Sequence, residues 1–491
     1  MNSKWPSVKL GEYCLKIGSG ATPRGGSKVY LDAGEFTLIR SQNIYNAGFN
    51  KDGLVYITNE AAEKLKNVEV SPLDILLNIT GDSVARVCIA PQEHLPARVN
   101  QHVAIVRPIP SEFDANFLRY FLTSPSMQDE LLSIASSGAT RNALTKGDIE
   151  SLNIPKPEIN TQKKISHCLL TFDNKIQLNK RINQTLEAIA QATFKSWFID
   201  FDPVKAKMAV LDTGGTEEEA NLAAMRVISS KSQSELEAFK AKNPDKYTKL
   251  YETAKLFPSE MEDSELGEMP KGWCSLPFGE CLNKTIGGDW GKEHADEKHV
   301  EKIKILRGTD IPNAYDGSYT NIPTRFVEPK KLLSRELEAF DIIIEISGGS
   351  PKQPTGRSLL ITHSLLKDIG RSAPASFCRL LRPKSKYLSL LLALHLQIIY
   401  KQGKMWSYQN QSTGISNFQT SRFLQDELVV YPSDEITKLF FKFALPLLGR
   451  ERNSENQTLV ELRDTLLPRL LSGAIELPIN EECELDGVAN G

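Results

Sequence analysis

The chain has 491 residues, which suits roughly three domains at about 150 residues each. Its net charge of −2 excludes a uniformly basic, histone-like DNA wrapper but leaves room for a local basic surface. With 40% hydrophobic and 24% charged residues the chain can bury a sizeable core and is not globally disordered, and seven cysteines with no CxxC pair argue against a disulfide scaffold or zinc ribbon.

The N-terminal stretch MNSKWPSVKLGEY lacks the apolar core of a secretory signal. Short apolar, β-branched runs follow, bounded by Gly, Pro, Asn and Asp: FTLIR, DILLNIT and HVAIVRP. These predict strands. A helical stretch over 115–135 comes next, then a polar, Gly-containing loop, a final strand ending at Pro155, and a long helix over about 160–197. In that helix Ile165, Leu169, Phe172, Ile176, Asn179, Asn183, Leu186, Ala190 and Thr193 alternate by four and three. That is a coiled-coil seam with asparagine near its middle.

The plan then repeats. Trp5 before VKLGE is answered by Trp273 before LPFGE, Arg40 by Arg307, Asp74 by Asp341 and Gly81 by Gly348, these last three at one constant offset. Arg107-Pro108 is answered by Arg382-Pro383, Ile154-Pro155 by Tyr431-Pro432, and Asn183–Leu186 by Asn456–Leu459. The run Tyr387–Tyr400 is too short to span a membrane and predicts a buried helix. A second helical region, about 435–472, holds Pro446 and Pro468, which are expected to kink or interrupt it. A soluble, cytoplasmic protein with no membrane contact is expected.

Six segments result: globular regions 1–157 and 269–432, helical regions 158–203 and 433–478, an acidic, partly helical insertion 204–268 that reads as an exposed connection, and an acidic tail 479–491 expected to be disordered. The fold class is mixed α/β (α+β). Two similar globular domains are separated by two long helices pairing as an antiparallel coiled coil, with pseudo-two-fold internal duplication. About 37 helical residues at 1.5 Å each would span roughly 55 Å.

No catalytic constellation can be assembled. The stretch Gly348–Ser358 has the wrong glycine spacing for a phosphate loop, no HExxH occurs, and His294 and His299 are five apart and would not share a helix face. No catalytic or metal-ligating residue is assigned, and a binder or scaffold is expected.

The ordered set WPSVKLGE, IGSGATP (17–23), GATRNALTKGDIESLNIPKP (138–157), TFKSWFIDFDP (193–203), DSELGEMPKGW (263–273) and LLPRLLSG (466–473) resembles the specificity subunits of type I restriction–modification systems. The resemblance covers almost the whole chain. One departure is IGGDWGKE (286–293), which stands where the first half has GSGATP, so this loop of the second domain is expected to meet DNA differently. The resemblance implies two target-recognition domains reading an asymmetric, split DNA sequence. It also implies two methylation subunits and restriction/translocase subunits as partners, with S-adenosylmethionine, ATP and Mg²⁺ held by those partners and no cofactor in this chain. A restriction or methylation enzyme in its own right, and a coiled-coil scaffold without DNA contact, are the alternatives.

Bases are read by Arg, Asn, Gln and short hydroxyls, and phosphates by Lys, Arg and backbone amides. Polar loops beside glycine therefore give the DNA-binding candidates. In the first half these are Thr22, Arg24, Arg40, Gln42, Asn43, Ser137, Arg141, Asn142 and Lys146. In the second they are Arg307, Thr309, Lys352, Gln353, Arg357, Gln409, Asn410, Gln411, Ser416, Asn417 and Arg422. Arg40 and Arg307 recur at one repeat position, either as readers or as structural partners of Asp74 and Asp341. The loops at Ser136–Thr145 and Tyr408–Gly414 are the leading pair. Trp197 and Phe198 are either anchors for a methylation subunit or caps of the coiled coil.

Overall fold

The structure, a computed structural model, describes residues 4–137, 142–315, 317, 319, 321–348, 353–412, 415–448 and 451–477. Arg141, Lys352 and the tail 479–491 lie outside the described residues, and of Gln411 only the backbone is described. Contacts divide the chain into two units, residues 1–175 with 459–491, and residues 176–458.

In the first unit one sheet runs in the order Cys14–Ser19, Val103–Pro108, Ile75–Asn78, Val87–Ile89, all antiparallel. A second runs Val55–Ile57, Phe36–Ile39, Ala97–Val99, Glu69–Val70, and its two middle strands pair in parallel. The runs Ile75–Asn78 and Val103–Val106 are buried throughout, which is why they read as continuous rather than alternating apolar stretches. The side chains of one face pack on the helices Ala115–Leu122 and Pro125–Ser137, and those of the other join the second sheet. The first helix starts where the Asp114 carboxylate accepts from the Phe117 amide at 2.8 Å.

The second unit repeats this order. Leu282–Gly287, Cys378–Pro383, Ile342–Glu345 and Ser358–Leu360 form an antiparallel sheet. Thr324–Val327, Glu301–Leu306 and Ser372–Pro374 form the smaller one, again with a parallel pair. The helix Lys386–Lys401 buries Leu388 through Leu394.

The repeat extends to individual hydrogen bonds. Asp74 accepts from Arg107 at 2.6 and 2.8 Å, and Asp341 from Arg382 at 2.8 and 2.8 Å. The same carboxylates also accept the Ser71 and Glu338 amides, both at 2.7 Å. The residues before them, Leu73 and Phe340, are both left-handed, at φ 64° and 76°. The recurring aspartates are therefore held by Arg107 and Arg382. Of the two readings of Arg40 and Arg307, the one that pairs them with these aspartates is not met.

The helix Ile159–Phe198 contributes to both units. In the first, Ile165 and Leu169 share a core with Leu467, Leu470 and Leu471 of the helix Glu451–Ser472. Asp173 there gathers Tyr120 at 2.6 Å, Arg463 at 2.7 Å and Arg119 at 3.1 Å. In the second unit the buried Asn179 side chain donates to Asn456 Oδ1 at 2.9 Å and Glu455 Oε2 at 2.8 Å. These contacts run antiparallel, and the mid-seam asparagine pairs with an asparagine of the other helix. The second helical region is two helices, Asp434–Leu448 and Glu451–Ser472, with Pro446 in the last turn of the first.

The acidic segment is more than an exposed connection. It holds four helices, Asp202–Asp212, Glu217–Ser229, Gln233–Lys242 and Pro244–Lys255, the last three burying Ala224, Met225, Leu236 and Ala254 between them, and a hairpin over Met261–Pro270 follows. Lys207 is buried and its ammonium donates to the Phe257 carbonyl at 2.6 Å. Among the described residues, no helix is long and apolar enough to cross a membrane.

Candidate nucleic-acid interface

In each unit the loops at one end of the sheets converge on a shared backbone frame. In the first, Gly20 N donates to Val103 O at 2.8 Å and Ala21 N to Val99 O at 3.0 Å. In the second, Gly288 N donates to Cys378 O at 3.0 Å and Asp289 N to Pro374 O at 3.0 Å. A Cβ on Gly20 or Gly288 would lie 2.2 Å from a carbonyl oxygen, so only glycine allows the approach. Ile79 N donates to His102 O at 3.0 Å where Ile346 N donates to Phe377 O at 2.9 Å. Leu144 N donates to Ile79 O, and Phe418 N to Ile346 O, both at 2.9 Å.

These bonds fix the correspondence between the units. Thr22 occupies the place of Trp290, Gln42 that of Thr309, Gln101 that of Ser376 and His102 that of Phe377. The departing sequence IGGDWGKE therefore keeps the same backbone course as GSGATP and changes the side chain presented. Ala143-Leu144 and Asn417-Phe418 are also equivalent, since Thr80 bridges to Ala143 as Ser347 pairs with Asn417.

The predicted residues separate into two groups. In the first unit Arg24, Gln42, Ser137, Asn142 and Lys146 are exposed, and Thr22 and Arg40 are half-buried. Arg40 and Gln42 both donate to the Gly53 carbonyl, and Arg40 lies over the Tyr30 ring. Lys146 pairs with Glu150 at 3.4 Å. Asn43, expected to face DNA, is fully buried. Its oxygen accepts the Arg40 amide at 3.1 Å and its nitrogen donates to Asn50 O and Asp52 O, so it staples its own loop.

In the second unit Arg307, Thr309, Gln353 and Arg357 line one cleft of about 720 Å³ with Trp290, Glu345, Ser376 and Phe377. Arg307 donates to both oxygens of Asp310, at 3.0 and 2.7 Å, which raises its pKa. Arg357 donates to both oxygens of the buried Glu345, at 2.9 and 2.6 Å, with the same effect. Gln409, Asn410, Ser416, Asn417 and Arg422 are not in this cleft. The Gln409 carbonyl accepts from Thr355 N and Oγ1, at 3.1 and 3.0 Å, and Asn410 is bonded by Gln419. Asn417 accepts from Ser347 Oγ at 3.1 Å, and Arg422 reaches Asp426 and Ser407 O, each at 3.3 Å.

The sequence reading missed Gln101, His102, Trp290 and Phe377. Gln101 is exposed, and His102 Nδ1 lies 2.6 Å from Thr80 Oγ1. Phe377 is 66% exposed. Trp290 and Phe377 are poor hydrogen-bonding residues and escaped a search for polar loops.

Trp197 and Phe198 are buried, at 3% and 1% exposed. Trp197 packs against Phe257 at 5.1 Å and Phe440 at 5.7 Å between ring centroids, and Phe198 against Phe440 at 5.0 Å and Trp273 at 5.9 Å. They are core residues of the second unit and present no surface to a partner, which overturns the docking role.

Comparison with known proteins agrees with this architecture. Residues 2–188 match the family described as the type I restriction modification DNA specificity domain. The chain is 32% identical over 372 residues to the type I restriction enzyme HindI specificity subunit of Haemophilus influenzae, covering 73% of this chain and 77% of that one. It is 22% identical over 478 residues to the MjaIX specificity subunit of Methanocaldococcus jannaschii, covering 94% and 91%. The crystal structure of a type I restriction–modification S subunit from M. genitalium superposes with a TM-score of 0.50 at 16% identity, over 96% of each chain, and shares the fold.

Frame and comparisons together define a DNA target-recognition protein. The chain belongs to the family of type I restriction enzyme specificity subunits, which select the DNA target and are not themselves the catalyst.

Proposed function

We infer that the chain reads an asymmetric, bipartite DNA target, one half-site with region 1–157 and the other with region 269–432. The observation that carries this reading is the shared frame with unlike side chains: Thr22 against Trp290, Gln42 against Thr309, His102 against Phe377. Equivalent positions with different chemistry suit two different half-sites.

The helical regions 158–203 and 433–478 dock two methylation subunits, and restriction/translocase subunits join that assembly. The docking face is a stripe on the helix Ile159–Phe198. Leu178 and Ile189 are 52% and 43% exposed, Ile182 is half-buried between them, and Ile199 just beyond the helix is 37% exposed. Their spacing follows a second heptad seam beside the buried one. S-adenosylmethionine, ATP and Mg²⁺ belong to the partners, and the assembly works in the cytoplasm.

Co-expression with the cognate methylation subunit in a methylation-free host, followed by single-molecule mapping of modified adenines, tests the reading. A split asymmetric motif with a fixed gap, absent without this chain, is the expected result. A continuous or palindromic motif would overturn it.

A further inference from the structure

The cleft of the second unit has apolar walls where the first unit has polar groups. Phe377 stands at the place of His102 and Trp290 at the place of Thr22, on backbones fixed by the same hydrogen bonds. Exposure of one phenylalanine is ordinary on a protein surface. Here the exposed ring sits at a reading position, on a turn pinned by Ile346 N→Phe377 O at 2.9 Å and Cys378 N→Ala375 O at 2.8 Å. Trp290, in the same cleft lining, is held by the Arg325 guanidinium 4.8 Å from its ring centre. The backbone under Phe377 and the Trp290 ring thus each have a fixed contact within the unit.

The cleft floor offers little to a polar base edge. Glu345 is 3% exposed, and both its oxygens are engaged by Arg357. The backbone at Gly308 and Gly348 closes over this carboxylate, where an added Cβ would come within 2.4 and 2.8 Å of Glu345 Oε1. Asp310 likewise engages two nitrogens of Arg307. The charges are internally neutralised, and the lining carries the rings of Trp290 and Phe377 beside the uncharged Thr309, Ser347, Gln353 and Ser376.

In the major groove one base alone carries an apolar group on its edge, the C5-methyl of thymine. An amine or carbonyl pressed against Phe377 would lose its water without a replacement partner. A methyl loses nothing and gains burial. We propose that Phe377, with Trp290 in the same cleft lining, is a specificity-determining residue that selects thymine through its 5-methyl group in the half-site read by the second unit. This rests on the DNA-reading role above and names one chemical determinant within it.

The test uses the chain in complex with its cognate methylation subunits and the duplex found by methylome mapping. Each thymine of the target, on either strand, is replaced in turn by deoxyuridine, which removes only the methyl. One replacement is expected to weaken binding about fourfold, the equivalent of about 0.8 kcal/mol for one buried methyl-sized group. In Phe377→Ala the same replacement has no further effect, while the other base preferences and the thermal stability stay as in the parent. Trp290→Thr, which installs the residue of the first unit, reduces the same discrimination.

A target with no methyl-sensitive thymine, or one equally sensitive in Phe377→Ala, overturns the proposal. So does a 2-aminopurine signal showing that the Phe377 ring unstacks a base step, since a wedge would be indifferent to the methyl. Specific binding in those cases leaves the recognition role intact. Loss of all specific binding by the parent complex would instead overturn that role, and this inference with it.

Discussion

Asp74 and Arg107 form a two-point ion pair at 2.6 and 2.8 Å inside the first unit, with the carboxylate fully buried. Asp341 and Arg382 repeat it in the second. The pair joins the loop before one central strand to the end of its neighbour. Removing the charge takes from each arginine the buried carboxylate it holds, although Arg382 keeps the exposed Glu338 carboxylate at 2.7 Å. Asp74→Asn and Asp341→Asn are each expected to cost about 3 kcal/mol. Hydrogen exchange should show loosening confined to the first unit for Asp74→Asn and to the second for Asp341→Asn.

Trp197→Ala separates core from docking surface. Deleting a buried indole is expected to cost about 3–5 kcal/mol and to lower the melting temperature of the chain. Ile189→Glu, on the exposed stripe, should leave melting unchanged and weaken association with the methylation subunit. Calorimetric melting and titration of the partner read the two effects separately.

Arg24 and Gln42 are both exposed, yet they are expected to fail differently. If Arg24 contacts phosphate, Arg24→Ala weakens binding alike for all sequences and reduces the slope of log affinity against log salt by about 1. Gln42→Ala should relax preference at one base and leave the slope unchanged. Binding titrations at several salt concentrations on matched and mismatched duplexes distinguish them.

Acid should destabilise the second unit through Glu427. Burial pushes Glu427 up, but bonds from His395 at 2.8 Å, Lys404 at 2.8 Å and Tyr408 at 2.7 Å outweigh it and hold the group below its ordinary 4.5. A carboxylate with a depressed folded pKa stabilises the fold above its unfolded pKa, and that contribution is lost as pH falls through the folded value. The second unit is therefore expected to weaken progressively below about pH 4.5. Glu427→Gln should flatten that limb of the stability curve, followed by denaturant titration at stepped pH.

Thiol reactivity checks whether both cores are sealed. Burial pushes the Cys88 and Cys378 thiols up to about 12, one in each unit, whereas Cys274 is exposed. Alkylation at pH 8 should label Cys274 in the native chain and reach Cys88 and Cys378 only after unfolding, as peptide mass mapping would show.

The duplication was legible because frame residues recur by identity: Arg40 with Arg307, Asp74 with Asp341, Arg107 with Arg382. The seam of the long helix was legible from its spacing, down to Asn179. The partners of the aspartates were not, because sequence recurrence names the residues that matter without saying which touch. Asn43 was misread because an asparagine in a polar loop serves equally well to face solvent or to staple the loop. His102 and Phe377 share the offset that links Arg107 to Arg382, but an imidazole and a phenyl ring do not recur by identity, so the match is not visible as a repeat. Trp197 and Phe198 looked like an anchor because the sequence does not show that the acidic segment folds back to bring Phe257 against Trp197.

Gly20 and Gly288 fix where the chain crosses the neighbouring strand, and the residue two places later inherits that position whatever its identity. Threonine and tryptophan sit there in the two units without any change in the backbone bonds beneath them. Substitutions at positions 22, 42, 101, 102 and their counterparts are therefore expected to keep these backbone bonds and to change the side chain that is presented. Inheritance can then explore new targets one residue at a time, with the folded state shielded from each trial.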